Sequence, residues 1–177
     1  MKHIYIILLC LPLIGFGQNV YTLDDIENTM SGVVSKTTKT PLSGELHLYY
    51  PTGKLHQVIP LKNGLQSGIG DMYYPSGELQ KKLQFKNHKF HGFYEEYHKN
   101  GQLKTKGSYE NGLEEGVWKE WDKNGELTSE FNGFKKGIRN GIMVTYFSWG
   151  KTHSVYENND RVSKNCYNTR GDQISCE

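Results

Sequence analysis

The 177-residue chain carries 21 basic and 19 acidic side chains for a formal charge of +2, and no block of like charges runs along it. That balance excludes the phosphate-neutralising surface of a nucleic-acid binder. Glycine is abundant at 20, aromatic residues reach 12 % and alanine is absent. Helices favour Ala and disfavour Gly, whereas strands favour aromatics and turns favour Gly, so the composition is all-β.

The N-terminus opens on Lys2 and an apolar run from Ile4 to Phe16, interrupted by Pro12. The run falls short of the roughly 20 apolar residues that span a hydrocarbon core. It ends in Gly15-Phe16-Gly17-Gln18. A charged start, a short apolar stretch and a small-residue exit describe a signal peptide over 1–17, cut after Gly17. An exported chain follows, periplasmic or extracellular, of about 160 residues and charge +1 once Lys2 is removed. No later segment is apolar enough to cross a membrane as a helix. Residues 18–40 are polar and rich in Thr and Ser, with only Val33-Val34 strand-like; they read as a leader and partial N-terminal cap.

From 41 to 152 the chain repeats itself. Gly44, Gly68, Gly92, Gly116 and Gly141 open the same phrase at spacings of 24, 24, 24 and 25 residues. Five residues after each comes an aromatic: Tyr49, Tyr73, Tyr97, Trp121 and Tyr146. Nine after each comes a second glycine: Gly53, Gly77, Gly101, Gly125 and Gly150. Two further on stand Leu55, Leu79, Leu103 and Leu127, with Thr152 breaking the pattern. Each copy holds two turn signals, Pro51-Thr52-Gly53 and Asn63-Gly64 in the first. His88 replaces the glycine of the second turn in the next copy. The expected fold is an elongated, twisted, single-layer antiparallel meander of about five 24-residue hairpins. The ten glycines are assigned to its turns. Period-two alternation assigns the position-five aromatics and the four leucines to a repeat core, with Leu79 and Leu83 on one face. By the same parity Tyr50, Tyr74, Tyr94, Trp118 and Trp149 are expected on the opposite face, as a candidate binding surface.

Residues 153–177 echo the unit weakly: Tyr167 precedes Gly171 by the four residues that separate Trp121 from Gly125. They read as a degenerate last copy and cap. Removal of Cys10 with the leader leaves Cys166 and Cys176, an even count that favours a disulfide in an oxidising compartment. Two free thiols or a metal pair are the alternatives, and ten residues' separation without a second ligand pair makes a poor zinc site.

Tyr109-Glu110-Asn111-Gly112-Leu113-Glu114-Glu115-Gly116 resembles the MORN repeat. The longer phrase from Gly68 to Leu79, followed by Phe85-Lys86-Asn87, resembles the variant found in bacterial proteins of the YwqK-type antitoxin group. The resemblance implies a β-hairpin repeat fold and antitoxin, scaffolding or lipid-binding roles. An exported chain would not meet a cytoplasmic toxin, which turns the antitoxin implication toward immunity against an envelope-targeted one.

Chemistry-bearing residues do not form a recognisable constellation. His88 and His91 lie three apart, hence on opposite faces of a strand, with His98 nearby. Glu95-Glu96 and Glu114-Glu115 are adjacent pairs that split across faces or sit in turns, whereas acid–base catalysis needs convergence. Arg170-Gly171-Asp172 reads as ordinary turn chemistry. The expectation is a non-enzymatic protein without metal or cofactor, a protein-interaction module of the cell envelope; a peripheral lipid- or polysaccharide-binding protein is the alternative.

Overall fold

In the computed structural model, which describes residues 19–176, fifteen strands form one open sheet and two more form a separate hairpin. Among the described residues none is helical. The leader peptide expected over 1–17 lies outside them. After Val20–Tyr21, which pairs in parallel with Gly44–Tyr49, every neighbour along the main sheet is antiparallel and the main strands follow one another in sequence, the two-residue strands Leu65–Gln66 and Ile138–Arg139 pairing off that path. This is the meander the repeat dictates. Each copy supplies two main strands, such as Gly68–Tyr73 with Leu79–Lys86, and Leu113–Trp121 with Leu127–Lys135.

Two kinds of turn alternate. Within a copy, Gly53, Gly77, Gly101 and Gly125 take φ of 80°, 112°, 83° and 85° and close the hairpin loop. Between copies, both central residues of a two-residue turn are left-handed: Asn63-Gly64, Asn87-His88, Asn111-Gly112, Lys136-Gly137 and Asn158-Asn159. That is type I′ geometry, which matches the natural twist of paired strands. His88 holds φ of 67° where three of the other turns have glycine, at a cost glycine would not bear. His88→Gly is expected to raise stability by about 0.5–1 kcal/mol, read as a higher urea midpoint at unchanged slope.

The glycines that open each phrase do not make turns, a correction to the sequence reading. Gly44, Gly68 and Gly141 begin strands, and Gly92 and Gly116 lie inside them. Gly68, Gly92, Gly116 and Gly141 sit where inter-copy pairing slips. Opposite the two-residue step from Leu83 to Phe85, the partner strand runs four residues, from Tyr94 to Phe90. The excess chain must buckle, and Gly92 does so at φ of 103°.

A second irregularity decides the faces. In four copies the strand after the loop carries an extra residue: Met72 opposes Lys81 but Tyr73 opposes Leu79, and the same shift recurs at Leu48/Tyr49, Glu96/Tyr97 and Glu120/Trp121. The bulge reverses parity. Leu55, Leu79, Leu103 and Leu127 therefore face the same way as Tyr49, Tyr73, Tyr97 and Trp121, their cross-strand partners, while Leu83 faces the other way. The expectation that Leu79 and Leu83 share a face fails at this bulge.

The buried side of the sheet, termed the packed face, is the one carrying Leu46, Leu61, Leu83, Phe85, Phe131 and Phe134, each under 9 % exposed. Its rings run in a continuous chain: Phe85–Phe90–Tyr109–Trp118–Phe134–Phe131–Tyr156, with consecutive centroids 4.6–6.1 Å apart. Tyr94 joins it beside Trp118 and Tyr109. Such ring pairs add about 0.5–1.5 kcal/mol each beyond the area they bury. Twist alone lets a single-layer sheet bring these rows together.

Both ends are closed differently from the middle. At the N-terminal end the hairpin Ile26–Thr29 with Gly32–Ser35 lies on the packed face, where Ile26 joins Leu42, Leu46 and Leu61 in one cluster. The leader thus holds more strand than its Val33-Val34 pair announces, because Ile26 supplies the apolar contact that the polar residues around it conceal. At the C-terminal end Asp160–Asn168 pairs with Gly150–Glu157, and the short strand Gln173–Ile174 folds back on it. Cys166, 1 % exposed, is disulfide-bonded to Cys176.

Candidate functional site

The face opposite the aromatic chain, termed the open face, is organised in three rows running across the strands. One is the position-five row of aromatic–Leu pairs. A second is the residue after each phrase-opening glycine: Ile69, Phe93, Val117 and Ile142. Several of these side chains stay in solvent: Tyr49 is 52 % exposed, Ile69 50 %, Val117 45 %, Ile142 41 % and Tyr146 38 %. The position-five aromatics assigned to the core are thus half-buried or exposed, and the burial lies on the other face. The reason is the bulge described above, together with the large rings at Tyr94, Tyr109 and Trp118 that claim the packed side.

The third row is charged. Asp71, Lys82, Glu95, Lys106, Lys119 and Glu130 stand opposite one another in strand-by-strand register. Signs alternate except at Lys106 and Lys119, and each of those lysines pairs outward instead, with Glu95 at 3.1 Å and Glu130 at 2.9 Å. Opposite charges face to face favour the native register, and a one-residue slip would misalign them. The Tyr97 hydroxyl donates to Glu95 at 2.8 Å. That bond, with Lys106 beyond it, holds the Glu95 carboxyl below its ordinary value, while burial and the same carboxylate push the Tyr97 phenol up to about 12. On the packed face burial would raise Glu96, but donation from Lys104 and Tyr94 holds it below the usual range. Both carboxylates favour the fold above the ordinary glutamate pKa, and that contribution fades as pH falls through their lowered values.

The five rings expected to form a binding surface are separated by the structure. Tyr50 donates its hydroxyl to the Tyr73 carbonyl at 2.7 Å, and Tyr74 donates to the Tyr97 carbonyl at 2.8 Å. In the next copy His98 Nε2 meets the Trp121 carbonyl at 2.9 Å. These position-six side chains bind each copy to the following one. Tyr94 and Trp118 belong to the aromatic chain of the packed face. Trp149 alone of the five is exposed, stacked on Phe147 with centroids 4.9 Å apart. The correction follows from length: a Tyr beside the loop reaches the neighbouring copy's backbone instead of pointing into water. Tyr74→Phe is expected to cost about 1 kcal/mol by orphaning the Tyr97 carbonyl, and hydrogen exchange should quicken at the loop 98–102 more than elsewhere.

A second stitch, which sequence reasoning missed, joins the type I′ turns. The residue before each phrase-opening glycine accepts the backbone N–H of the next turn. Ser43 takes that of Asn63, Ser67 that of Asn87, His91 that of Asn111, Glu115 that of Lys136, and Asn140 that of Asn158. The signal was a recurring acceptor, hidden because four residue types fill the role. It accounts for His91, and His88 Nδ1 lies 3.4 Å from the backbone nitrogen of Gln66. The three histidines therefore make separate backbone contacts. Among the described residues no group of three or more His, Cys, Asp or Glu side chains converges. Glu95 and Glu96 lie on opposite faces, as do Glu114 and Glu115. Arg170 and Asp172 flank a turn in which Asn168 Oδ1 accepts both of their backbone N–H groups.

Residues 68–87, 90–111 and 114–133 each match the family model of the MORN repeat variant. No curated protein matches the chain significantly. Among solved structures, the GtfA/B complex bound to UDP and GlcNAc is similar at a TM-score of 0.35 and 11 % identity, covering 70 % of this chain and 27 % of that one. The accessory secretory protein 1, 2 and 3 assembly of Streptococcus pneumoniae is similar at 0.32 and 14 %, covering 82 % and 23 %. The chain thus spans about a quarter of the length of these solved chains.

Proposed function

We infer that the copies matching the MORN repeat variant serve here as a non-enzymatic binding module of the cell envelope, engaging a protein partner through the open face. The observation that carries this reading is the recurrence of exposed apolar side chains, Tyr49, Ile69, Val117, Ile142 and Tyr146, at the period of the repeat on one side of a sheet. Scattered exposed hydrophobics are ordinary, but aligned rows flanking a charged row have the composition of an interface: apolar contact area with polar groups to set register. The apolar leader over 1–17 and the Cys166–Cys176 disulfide both suit an oxidising compartment. An immunity-type role against an envelope-targeted toxin is the form of partner binding that fits export and the family resemblance together.

Val117→Glu with Ile142→Glu tests this reading, since both side chains lie in solvent and the fold should persist. A partner captured from envelope extract by the wild-type chain and lost with this variant supports the reading. Retention of that partner, or association with lipid vesicles or polysaccharide in its place, overturns it.

A further inference from the structure

On the packed face a cavity of about 100 Å³ opens beside Trp118. Its floor exists because residue 107 is glycine: a Cβ there would come within 2.2–2.6 Å of Trp118 Cδ2, Cε2 and Cε3. One face of the indole therefore lies flat on the Gly107 backbone, and the ring forms part of the cavity lining. Phe131 stands opposite Trp118 in register, and Phe134 meets the indole edge-on at 6.1 Å. Strand alternation brings Glu114 and Glu120 to the same face as Trp118, and both line the cavity. The Ser129 hydroxyl donates to Glu120 Oε2 at 2.9 Å and fixes that carboxylate at the rim. Arg139 also lines the cavity, and its guanidinium already sits 5.4 Å from the Phe134 ring and 5.9 Å from Tyr156.

Size and charge select among ligands. The cavity is compact, at about 100 Å³, room enough for a headgroup of a few heavy atoms. Two carboxylates outweigh one guanidinium that is itself engaged by two rings. Electron-rich ring faces and a net negative rim attract a cation. We propose that this cavity is a binding site for an alkylammonium group, seated over Trp118 and flanked by Glu114 and Glu120. The Arg139–Phe134 contact shows one ring of the lining already accepting a cation from the chain itself.

The test is a titration of the full chain with tetramethylammonium chloride, and in parallel with n-butylammonium chloride, against sodium chloride at equal ionic strength. The tryptophan indole N–H resonances are followed, with Trp118 assigned by Trp118→Phe. A saturable shift of the Trp118 resonance with either ammonium ion is expected. Glu114→Gln with Glu120→Gln should weaken it about 10-fold, at an unchanged melting temperature; should the double variant fail to fold, Glu114→Gln alone gives a smaller weakening. Absence of saturation with both ions, equal affinity in a folded glutamine variant, or saturation by methyl glucoside instead would each overturn the proposal.

Discussion

Gly107→Val is expected to cost about 3 kcal/mol of stability, because the inserted side chain occupies space held by the Trp118 ring. A Cβ at 107 would lie 2.2 Å from Trp118 Cδ2, and the ring cannot simply step aside. Tyr94 lies 5.5 Å from its centroid, Tyr109 5.1 Å and Phe134 6.1 Å. The residue has no positive φ, so no left-handed backbone strain adds to the crowding. A double-mutant cycle isolates it: Gly107→Ala and Trp118→Ala should each destabilise, while the pair together should cost less than their sum. Additive losses in urea unfolding would show that the indole does not rest on residue 107.

The second large effect concerns the C-terminal edge. Cys166→Ser with Cys176→Ser is expected to remove about 2–3 kcal/mol through the lost restraint on the unfolded chain. Because the bridge anchors only the two-residue strand Gln173–Ile174 to Asp160–Asn168, the loss should be felt first there. Hydrogen exchange should quicken over 160–174 before it quickens in the middle copies, as expected for a stack in which each unit touches only its neighbours. Uniform quickening along the whole sheet would show that the terminal copy does not act as a cap.

Much of this architecture was legible in the sequence. The phase of glycine and aromatic residues marks the repeat, and the loop glycines and Asn-Gly pairs place the turns of the first four copies. Gly150, assigned to a turn, instead begins the strand Gly150–Glu157 and pairs with Phe147 and Asn168. Tyr167 and Gly171 announced the sixth hairpin, and its turn repeats the bonding of the Asp122–Glu126 turn. Asn168 N–H donates to the Asp172 carbonyl at 2.9 Å, as Asp122 N–H does to that of Glu126 at 2.9 Å. What period-two reasoning could not reach was the bulge after each loop. A single unpaired residue at the level of Gln80 or Lys104 leaves no mark in a hydropathy pattern, yet it moves every leucine after the loop to the other face. The bulge also decides which face is buried, and so places Tyr94 and Trp118 in the packed side, whereas Tyr50 and Tyr74 depart from expectation through their reach to the next copy's carbonyl.

The place where the repeat breaks was the better guide to the packed face. Ile59, Leu83 and Phe131 occupy one position of the unit, and Gly107 stands there in the copy between Leu83 and Phe131. A missing side chain in an otherwise apolar column signals a neighbour large enough to fill the gap, and Trp118 is that neighbour. Tyr50, Tyr74 and His98 illustrate the opposite difficulty. Their shared role, a side chain hydrogen-bonded to the next copy's carbonyl, is carried by different chemistries, so it shows in distances and not in residue identity.

The two-face organisation is the claim on which the rest depends, and tyrosine nitration of the folded protein tests it most directly. Tyr49 at 52 % and Tyr146 at 38 % exposure lie on the open face. Tyr94 and Tyr109 sit in the aromatic chain of the packed face, their phenols held above the ordinary value by burial first. With limiting tetranitromethane, peptide mapping should find Tyr49 and Tyr146 modified early and Tyr94 and Tyr109 protected until the protein unfolds. Early modification of Tyr94 and Tyr109 with Tyr49 and Tyr146 protected would contradict the account.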